Sequence, residues 1–395
     1  VLGIRGMKKR TIRALDDHIA AWLIKGLTLH ERILGPRLAK GLLKKEELNI
    51  LIIKLLGIGD MIIFLPALRA LRETFPFATL TVMTTKACSE MIEGNPLLDK
   101  VIVYDVQGKQ SGVKGFLGLI RFLRSLRFDV VIDLEQYYRI TPILSYLTGA
   151  GIRVGFDTEG RNRAALFTHK VDYETTNLPE MENFLNAARA LGAATDNLST
   201  RMFIPQDAFL SAARILRESE VGPDKKYIVF APAGNPRWKV KYWSAERFAE
   251  LGARFEREFG VRVILIGSGV ELDLLEEING LMGGTGIVLA GKLNLKEMGA
   301  LINGAFFYVG NETGPMHVAA GLGVPTVGIF SFTLYKKWSP IGPRVAVVRK
   351  DLSCNPCYID SSTVPECPHY DCIRGITVDK VYDTALRLLL KSGTT

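Results

Sequence analysis

"GAFFYVGNETGPMHVAAGLGVPTVGIF", Gly304 to Phe330, writes a strand, a polar turn, a short helix and a second strand in one stretch. "AFFYVG" is an aromatic and β-branched run of the kind that makes a buried strand, and "VPTVGIF" is another. Between them "HVAAGLG" is small and helical and is closed by Gly323. Asn311 to His317 therefore fall at the carboxyl end of a strand, where a helix begins. Ligands of open α/β sheets collect at that place. Thr313 suits the cap of the helix and Pro315 its first turn. The amides and positive dipole of a helix start favour an anion such as a phosphate. A well-capped turn without a ligand is the alternative reading.

The same alternation runs outward in both directions. From Glu47, "LNILIIK", "ATLTVM", "KVIVYD" and "DVVIDL" read as strands. Helices are expected at Met61 to Phe75 and Val113 to Leu126, with another stretch from Pro179 to Leu191. A polar piece, "RESEVGPDKKY", reads as an interdomain connection. After it come "YIVFAPAG", a helix from Ser244 to Phe259, "VRVILIGSG", "GIVLAG" and the opening stretch. Strands alternating with helices predict two doubly wound parallel sheets. The expected division is a helical leader over 1–47, a first Rossmann-like domain over 48–217 and a second over 218–375. A last helix within 376–395 is expected to cross back over the cleft between them.

The 395 residues are 48% hydrophobic and 23% charged, the profile of a globular chain with large cores. No apolar run reaches the ~20 residues of a membrane-spanning helix, and the start does not read as a signal peptide. The chain opens on Val1, so the natural start is expected at Met7 or upstream. The cysteine pattern is not a secreted disulfide framework, and a cytoplasmic enzyme is expected. The net charge is +9. Eleven bases against five acids precede Leu48, so +6 of that excess lies in the leader. Ile12, Leu15, Ile19, Leu23, Leu27 and Leu34 recur there at helical spacing, with Trp22 beside them. A basic amphipathic helix suits an anionic membrane surface; docking on its own domain is the alternative. Nothing points to a nucleic-acid partner.

Chemistry-bearing residues gather at strand ends. In "LLGIGDMIIFLPALRALRETFP", Gly57 and Gly59 permit a tight turn and close approach of a substrate to the backbone. Asp60 opens the next helix, placed to act as a general base or as an ordinary cap. The third glycine of a dinucleotide fingerprint is missing. In "APAGNPRWKVKYWSAERFAEL", Gly234 and Asn235 make the turn, and Arg237, Lys239 and Lys241 supply cations suited to a diphosphate.

Taken together, "GIGDMIIFLPALRALRETFP", "KYWSAERFAEL" and "GNETGPMHVAAGLGVPTVGIF" resemble the three recurrent motifs of glycosyltransferase family 9. These are the ADP-heptose:lipopolysaccharide heptosyltransferases and their relatives. The similarity runs in order from about Leu48 to the terminal helix. It implies the two-domain GT-B architecture and an inverting transfer of a heptose from ADP-heptose to a glycolipid acceptor of the lipopolysaccharide core. It also implies work at the inner face of the inner membrane. Asp60 would deprotonate the acceptor, with Gly57 and Gly59 beside it. Lys241 would meet the diphosphate, and Gly234 and Asn235 would form the loop beside it. Thr313, Gly314, Met316 and His317 match the segment that holds the nucleotide phosphates. Glu312 stands where the family commonly has aspartate. By looser alignment Glu271 meets the nucleoside and Leu293 lines the adenine pocket. Helix amides and lysine carry the electrostatics, so no catalytic metal is expected.

Acceptor recognition is expected from "DLEQYYRI" and from Arg153, Arg161 and Arg163 in "RVGFDTEGRNRAALF". Cys354, Cys357, Cys367 and Cys372 form C-x2-C-x9-C-x4-C, a ligand set suited to structural zinc or iron, with free or disulfide-prone thiols as the alternative. Cys88 is expected in the core. Three rivals stand beside heptosyl transfer. They are another sugar nucleotide or a protein acceptor, a non-catalytic nucleotide-binding module, and an epimerase of the same architecture.

Overall fold

Apolar runs without alternation, such as Ile50 to Ile53, are buried on both faces, as strands between two helical layers must be. The computed structural model describes residues 20–34, 41–105, 108–234, 240–357 and 367–390. Twelve strands form two six-stranded sheets among these residues. The first holds β1 (Asn49–Ile53), β2 (Thr79–Thr84), β3 (Lys100–Val103), β4 (Val130–Asp133), β5 (Ile152–Asp157) and β6 (His169–Asp172) in the order 3-2-1-4-5-6. The second holds β7 (Tyr227–Ala231), β8 (Arg262–Leu265), β9 (Ile287–Val288), β10 (Phe307–Asn311), β11 (Thr326–Ile329) and β12 (Val345–Val348) in the order 12-11-10-7-8-9. Counted from its own first strand, the second order is the same as the first. All pairings are parallel. The chain is α/β with GT-B architecture. In each sheet the order reverses beside the first strand, between β1 and β4 and between β7 and β10. Those are the topological switch points where crevices open at strand ends.

Several sequence expectations shift. The helix expected from Met61 to Phe75 is two, Asp60–Ile63 and Leu65–Thr74, because Pro66 lacks the N–H that would continue the ladder past Phe64. "RVGFD", read as part of an arginine-bearing loop, is β5. The compact units divide at Leu198 and Ser199, with Thr175–Pro179 also in the second. "RESEVGPDKKY" is therefore internal to the second unit. The helix Gln206–Glu218 before it is fixed there by Ser211, whose hydroxyl donates to Glu297 at 2.6 Å, and Lys296 donates to the Phe203 carbonyl at 2.8 Å. The last helix, Val378–Leu390, buries Val381, Tyr382, Ala385 and Leu389 in the second unit's own core.

The leader helix Ala21–Leu34 docks on the first unit through Ala20, Ile24 and Leu27, against Ile143 and Leu166. His30 Nδ1 lies 2.8 Å from the Tyr146 hydroxyl. Leu23 and Trp22 face outward; Ile12, Leu15 and Ile19 lie outside the described residues.

Candidate active site

At the first switch point, the chain leaves β1 through Lys54 and turns at Gly57, whose φ of +96° is open to glycine. Asp60 then begins a helix. A β-carbon on Gly57 would stand 2.6 Å from the Asp60 carboxyl carbon, so a side chain there would collide with this carboxylate. The buried Lys54 ammonium lies 2.9 Å from Asp60 Oδ2 and 3.2 Å from Glu135 Oε1, and it donates to the Leu56 carbonyl at 2.6 Å. Glu135 follows β4, the strand beside β1. Its Oε1 accepts from the amides of Leu55 at 2.7 Å and Leu56 at 3.1 Å. One carboxylate thus ties the two strand ends together, and the lysine holds the other in place.

Burial alone would neutralise this group. It pulls the Lys54 ammonium down, but Asp60 and Glu135 more than offset it, and the lysine is held charged well above its ordinary range. For Asp60 burial wins over the Lys54 charge, and the carboxyl is raised above its usual value. A carboxylate raised above its usual value at a strand end is a candidate proton acceptor. Glu180, fully buried, helps to raise it. Glu180 is held by Gln136 at 2.6 Å and by the Tyr173 hydroxyl at 3.0 Å.

The arginines expected to greet an acceptor are mostly spent inside the fold. Arg163 is fully buried, 2.8 Å from Asp133 at the end of β4, and also donates to Thr141 and to the carbonyl of Tyr138. Burial, opposed by Arg163, raises the Asp133 carboxyl to about 6. Arg153, on β5, donates to the carbonyls of Leu166 and Ala150 and lies over the Tyr146 ring. A guanidinium too bulky to leave unsatisfied in a core is consumed by backbone carbonyls, which removes both from acceptor contact. Arg161 is half-buried, with its guanidinium 5.9 Å from the Tyr137 ring centre.

At the second switch point, Asn311 closes β10 and stitches it to the β7 exit. Its Nδ2 donates to the Pro232 carbonyl and its Oδ1 accepts from the Trp243 amide at 3.2 Å. Glu312 receives the Thr333 hydroxyl and lies 3.4 Å from Lys241 Nζ. The longer acidic side chain thus reaches the lysine that the β7 loop presents. Thr313 caps the helix Gly314–Gly321 by position, with its hydroxyl turned to the Asn311 carbonyl at 3.2 Å. Gly234 is obligatory, since a β-carbon there would lie 2.4 Å from the Thr313 methyl. Asn235, Arg237 and Lys239 lie outside the described residues.

Met316 and His317 do not face a ligand with their side chains. Met316 is buried against Gly328 of β11, and its amide is taken by the Thr313 carbonyl at 3.1 Å. His317 is buried with Nδ1 lacking a partner among the described residues, and burial lowers its pKa to about 4, so it is neutral. Pro315 has no amide, which leaves the N–H groups of Thr313 and Gly314 for an anion. Glu271 closes a capping box on Ser268 after β8, and half-buried Leu293 follows β9. Both stand at the strand-end edge that carries Lys241.

Of the four clustered cysteines, Cys354 and Cys357 are exposed, Cys367 is half-buried and Cys372 is buried. Tyr370 N–H donates to Cys367 Sγ at 3.3 Å. Among the described residues no three acidic, histidine or cysteine groups converge on one point, so as placed the thiols do not form a coordination shell. Cys88 is in the core, as expected.

Lys54 and Thr333 were not singled out in the sequence; Glu135 entered only within "DLEQYYRI" and Asn311 only as the start of the Asn311 to His317 turn. Lys54 carried a signal, a charge closing the apolar run "NILII"; Glu135 carried a weaker one, two residues past a strand end.

Residues 116–367 match the family model described as glycosyltransferase family 9 (heptosyltransferase). Lipopolysaccharide heptosyltransferase 3 of Escherichia coli is 28% identical over 294 residues, covering 71% of this chain and 83% of that protein. The lipopolysaccharide core heptosyltransferase OpsX of Haemophilus influenzae is 25% identical over 287 residues, covering 72% and 79%. Among solved structures, a family 9 glycosyl transferase from Veillonella parvula superposes with a TM-score of 0.75 at 23% identity, over 87% of this chain and 97% of that one. The E. coli ADP-heptose lps heptosyltransferase II gives 0.69 at 21%, over 88% and 100%. These two share the fold. With the model match spanning most of the chain, the protein belongs to glycosyltransferase family 9, an enzyme family that transfers sugars.

Proposed function

We propose that this enzyme transfers a heptose from ADP-heptose to a lipopolysaccharide-core acceptor with inversion. The observation that carries the reading is the buried Lys54–Asp60–Glu135 group at the β1/β4 switch point. The acceptor hydroxyl attacks the anomeric carbon and its proton passes to Asp60. The bond from that carbon to the diphosphate oxygen breaks, and its electron pair leaves with ADP. Lys54 is a positioning residue. When Asp60 takes the proton, Glu135 remains as counter-ion, so the buried ammonium is never left alone. In the second unit, Lys241 and the amides of Thr313 and Gly314 receive the charge that develops on the departing diphosphate. Glu271 and Leu293 are proposed to border the nucleoside. Gly57 and Gly59 let the acceptor approach the backbone, and Arg161 is kept as an acceptor contact.

The choice of heptose and of a lipopolysaccharide acceptor rests on the two bacterial relatives named above. We place the enzyme in the cytoplasm, against the inner face of the inner membrane, where such an acceptor would be met. The four cysteines are proposed as a structural site for zinc or iron, supported by their spacing in the sequence. Elemental analysis of protein purified without chelator tests this, and metal-free, fully active protein would remove it. For the main reading, thermal shift across sugar nucleotides should single out ADP-heptose, followed by transfer to a purified core acceptor. Turnover of the sugar nucleotide without acceptor would instead favour an epimerase.

A further inference from the structure

The helix Ala21–Leu34 is apolar on two opposite sides. Ala20, Ile24 and Leu27 take one side into the first unit. On the other side Trp22 and Leu29, 74% and 59% exposed, form a stripe with Gly26 between them, and Leu23 flanks it. Lys25 lies with its ammonium 5.3 Å from the Trp22 ring centre. A helix apolar all round is normally covered all round.

A second helix of the same unit repeats the pattern. Gly112–Ser125 buries Leu119 and Leu123, yet Val113 is 76% exposed, and Leu117 and Phe122 are about half exposed. Exposed Lys114, Arg121 and Arg124 are interleaved with them, and none has an ion pair among the described residues. Between Asp105 and Asp129 the chain has five bases and no acid. The two helices border one apolar cluster of the first unit. Phe116 packs both on the cluster beneath its own helix and on the cluster that seats Ile24.

We propose that these two helices together form the surface by which the enzyme lies on an anionic phospholipid membrane. The alternation of exposed apolar and basic side chains commits the occupant. Apolar groups enter the acyl boundary while lysine and arginine reach back to lipid phosphates, and tryptophan favours that boundary. A protein partner of ordinary composition would leave Arg121 and Arg124 to be matched singly; a sheet of phosphates matches all of them. No described helix is long and apolar enough to cross a membrane, so the contact is interfacial. This deepens the placement at the inner membrane proposed above and does not depend on which sugar is moved.

Co-sedimentation of the full chain with vesicles of phosphatidylglycerol and phosphatidylethanolamine, against phosphatidylcholine alone, tests it. Binding should favour the anionic vesicles about tenfold or more and weaken from about 50 to about 300 mM salt. Trp22→Ser with Leu29→Ser should lower partitioning, and so should Val113→Ser with Leu117→Ser. Arg121→Glu with Arg124→Glu should lower it about tenfold or more. All six positions are exposed, so thermal unfolding and transfer to a detergent-dispersed acceptor should hold. Equal binding to both vesicle types overturns the proposal, as does unchanged binding when the Gly112–Ser125 variants are tested. A concentration-dependent dimer abolished by the same changes, with no vesicle binding, would give the face to a second copy. Failure of transfer by the unaltered enzyme would count against heptosyl transfer and leave the surface standing.

Discussion

The two sheets share one strand order and carry their chemistry at the same topological place, yet they solve opposite electrostatic problems. At the β1/β4 switch point a lysine is sunk between two carboxylates, one of which also accepts from the amides of Leu55 and Leu56. At the β7/β10 switch point the lysine sits nearer solvent, 3.4 Å from a single glutamate. That glutamate is shared with Thr333. On the proposed mechanism the first arrangement fixes a base, and the second keeps a cation and two amides for the charge that arrives with the nucleotide. On the proposed reading, one scaffold position serves proton transfer where carboxylates outnumber the buried lysine that holds them, and anion binding where a lysine nearer solvent stands beside open helix-start amides.

The sharpest way to break this comparison is to remove the base. Asp60→Asn should cut transfer about 10²–10⁴-fold while ADP binding, measured calorimetrically, stays within about twofold. If nucleotide affinity fell as far as turnover, the two sites would not divide the work.

Next comes a pair of lysines. Lys54→Met strands two buried carboxylates and should cost about 3–5 kcal/mol of stability in denaturant unfolding. Lys241→Met should cost about 1 kcal/mol or less but raise KM for the sugar nucleotide. Similar losses of stability for both would erase the contrast.

Acid should separate the units as well. His317 has its pKa lowered to about 4 by burial, while the unfolded chain binds that proton near 6.5. The second unit should therefore lose about 3 kcal/mol as pH falls from 6.5 to 4. In the first unit Asp133 and Asp60 are raised. Their native forms bind protons before the unfolded chain does, so their contribution moves the other way over the same range. Hydrogen exchange followed by mass spectrometry should show the second unit opening first, and His317→Gln should flatten its response.

The smallest expected effect sharpens the picture of the nucleotide loop. Gly234→Ala forces a methyl onto Thr313 and should cost about 1–3 kcal/mol, with weaker nucleotide binding read in the same titration. No loss in either would mean that the loop and the helix start are not closely fitted.

Most of the architecture was legible because buried parallel strands announce themselves as unbroken apolar runs; "LNILIIK" and "YIVFA" needed no partner to be recognised. β5 was not, because "IRVGFD" contains an arginine and a glycine that read as loop. Its arginine donates to carbonyls brought close in the folded chain. The same reason hid half of the site. Asp60 stood out by its place after two glycines, whereas the importance of Glu135 lies in the amides of Leu55 and Leu56, some 80 positions away. Long-range satisfaction of this kind leaves no local pattern. The boundary between units was misread for a related cause. A polar stretch suggested a linker, but the helix before it is held by side-chain bonds to a later helix.

The turn at Gly57 has a consequence for reading other genomes. Any side chain there meets the very carboxylate that the turn exists to present. An alanine at this point would strain the left-handed turn and push the aspartate from its station. Among chains that keep an aspartate three residues further on, this one glycine is thus a cheap marker. On the proposed mechanism, a chain that keeps the aspartate without this glycine is expected to transfer poorly, which a search for acidic residues alone would miss.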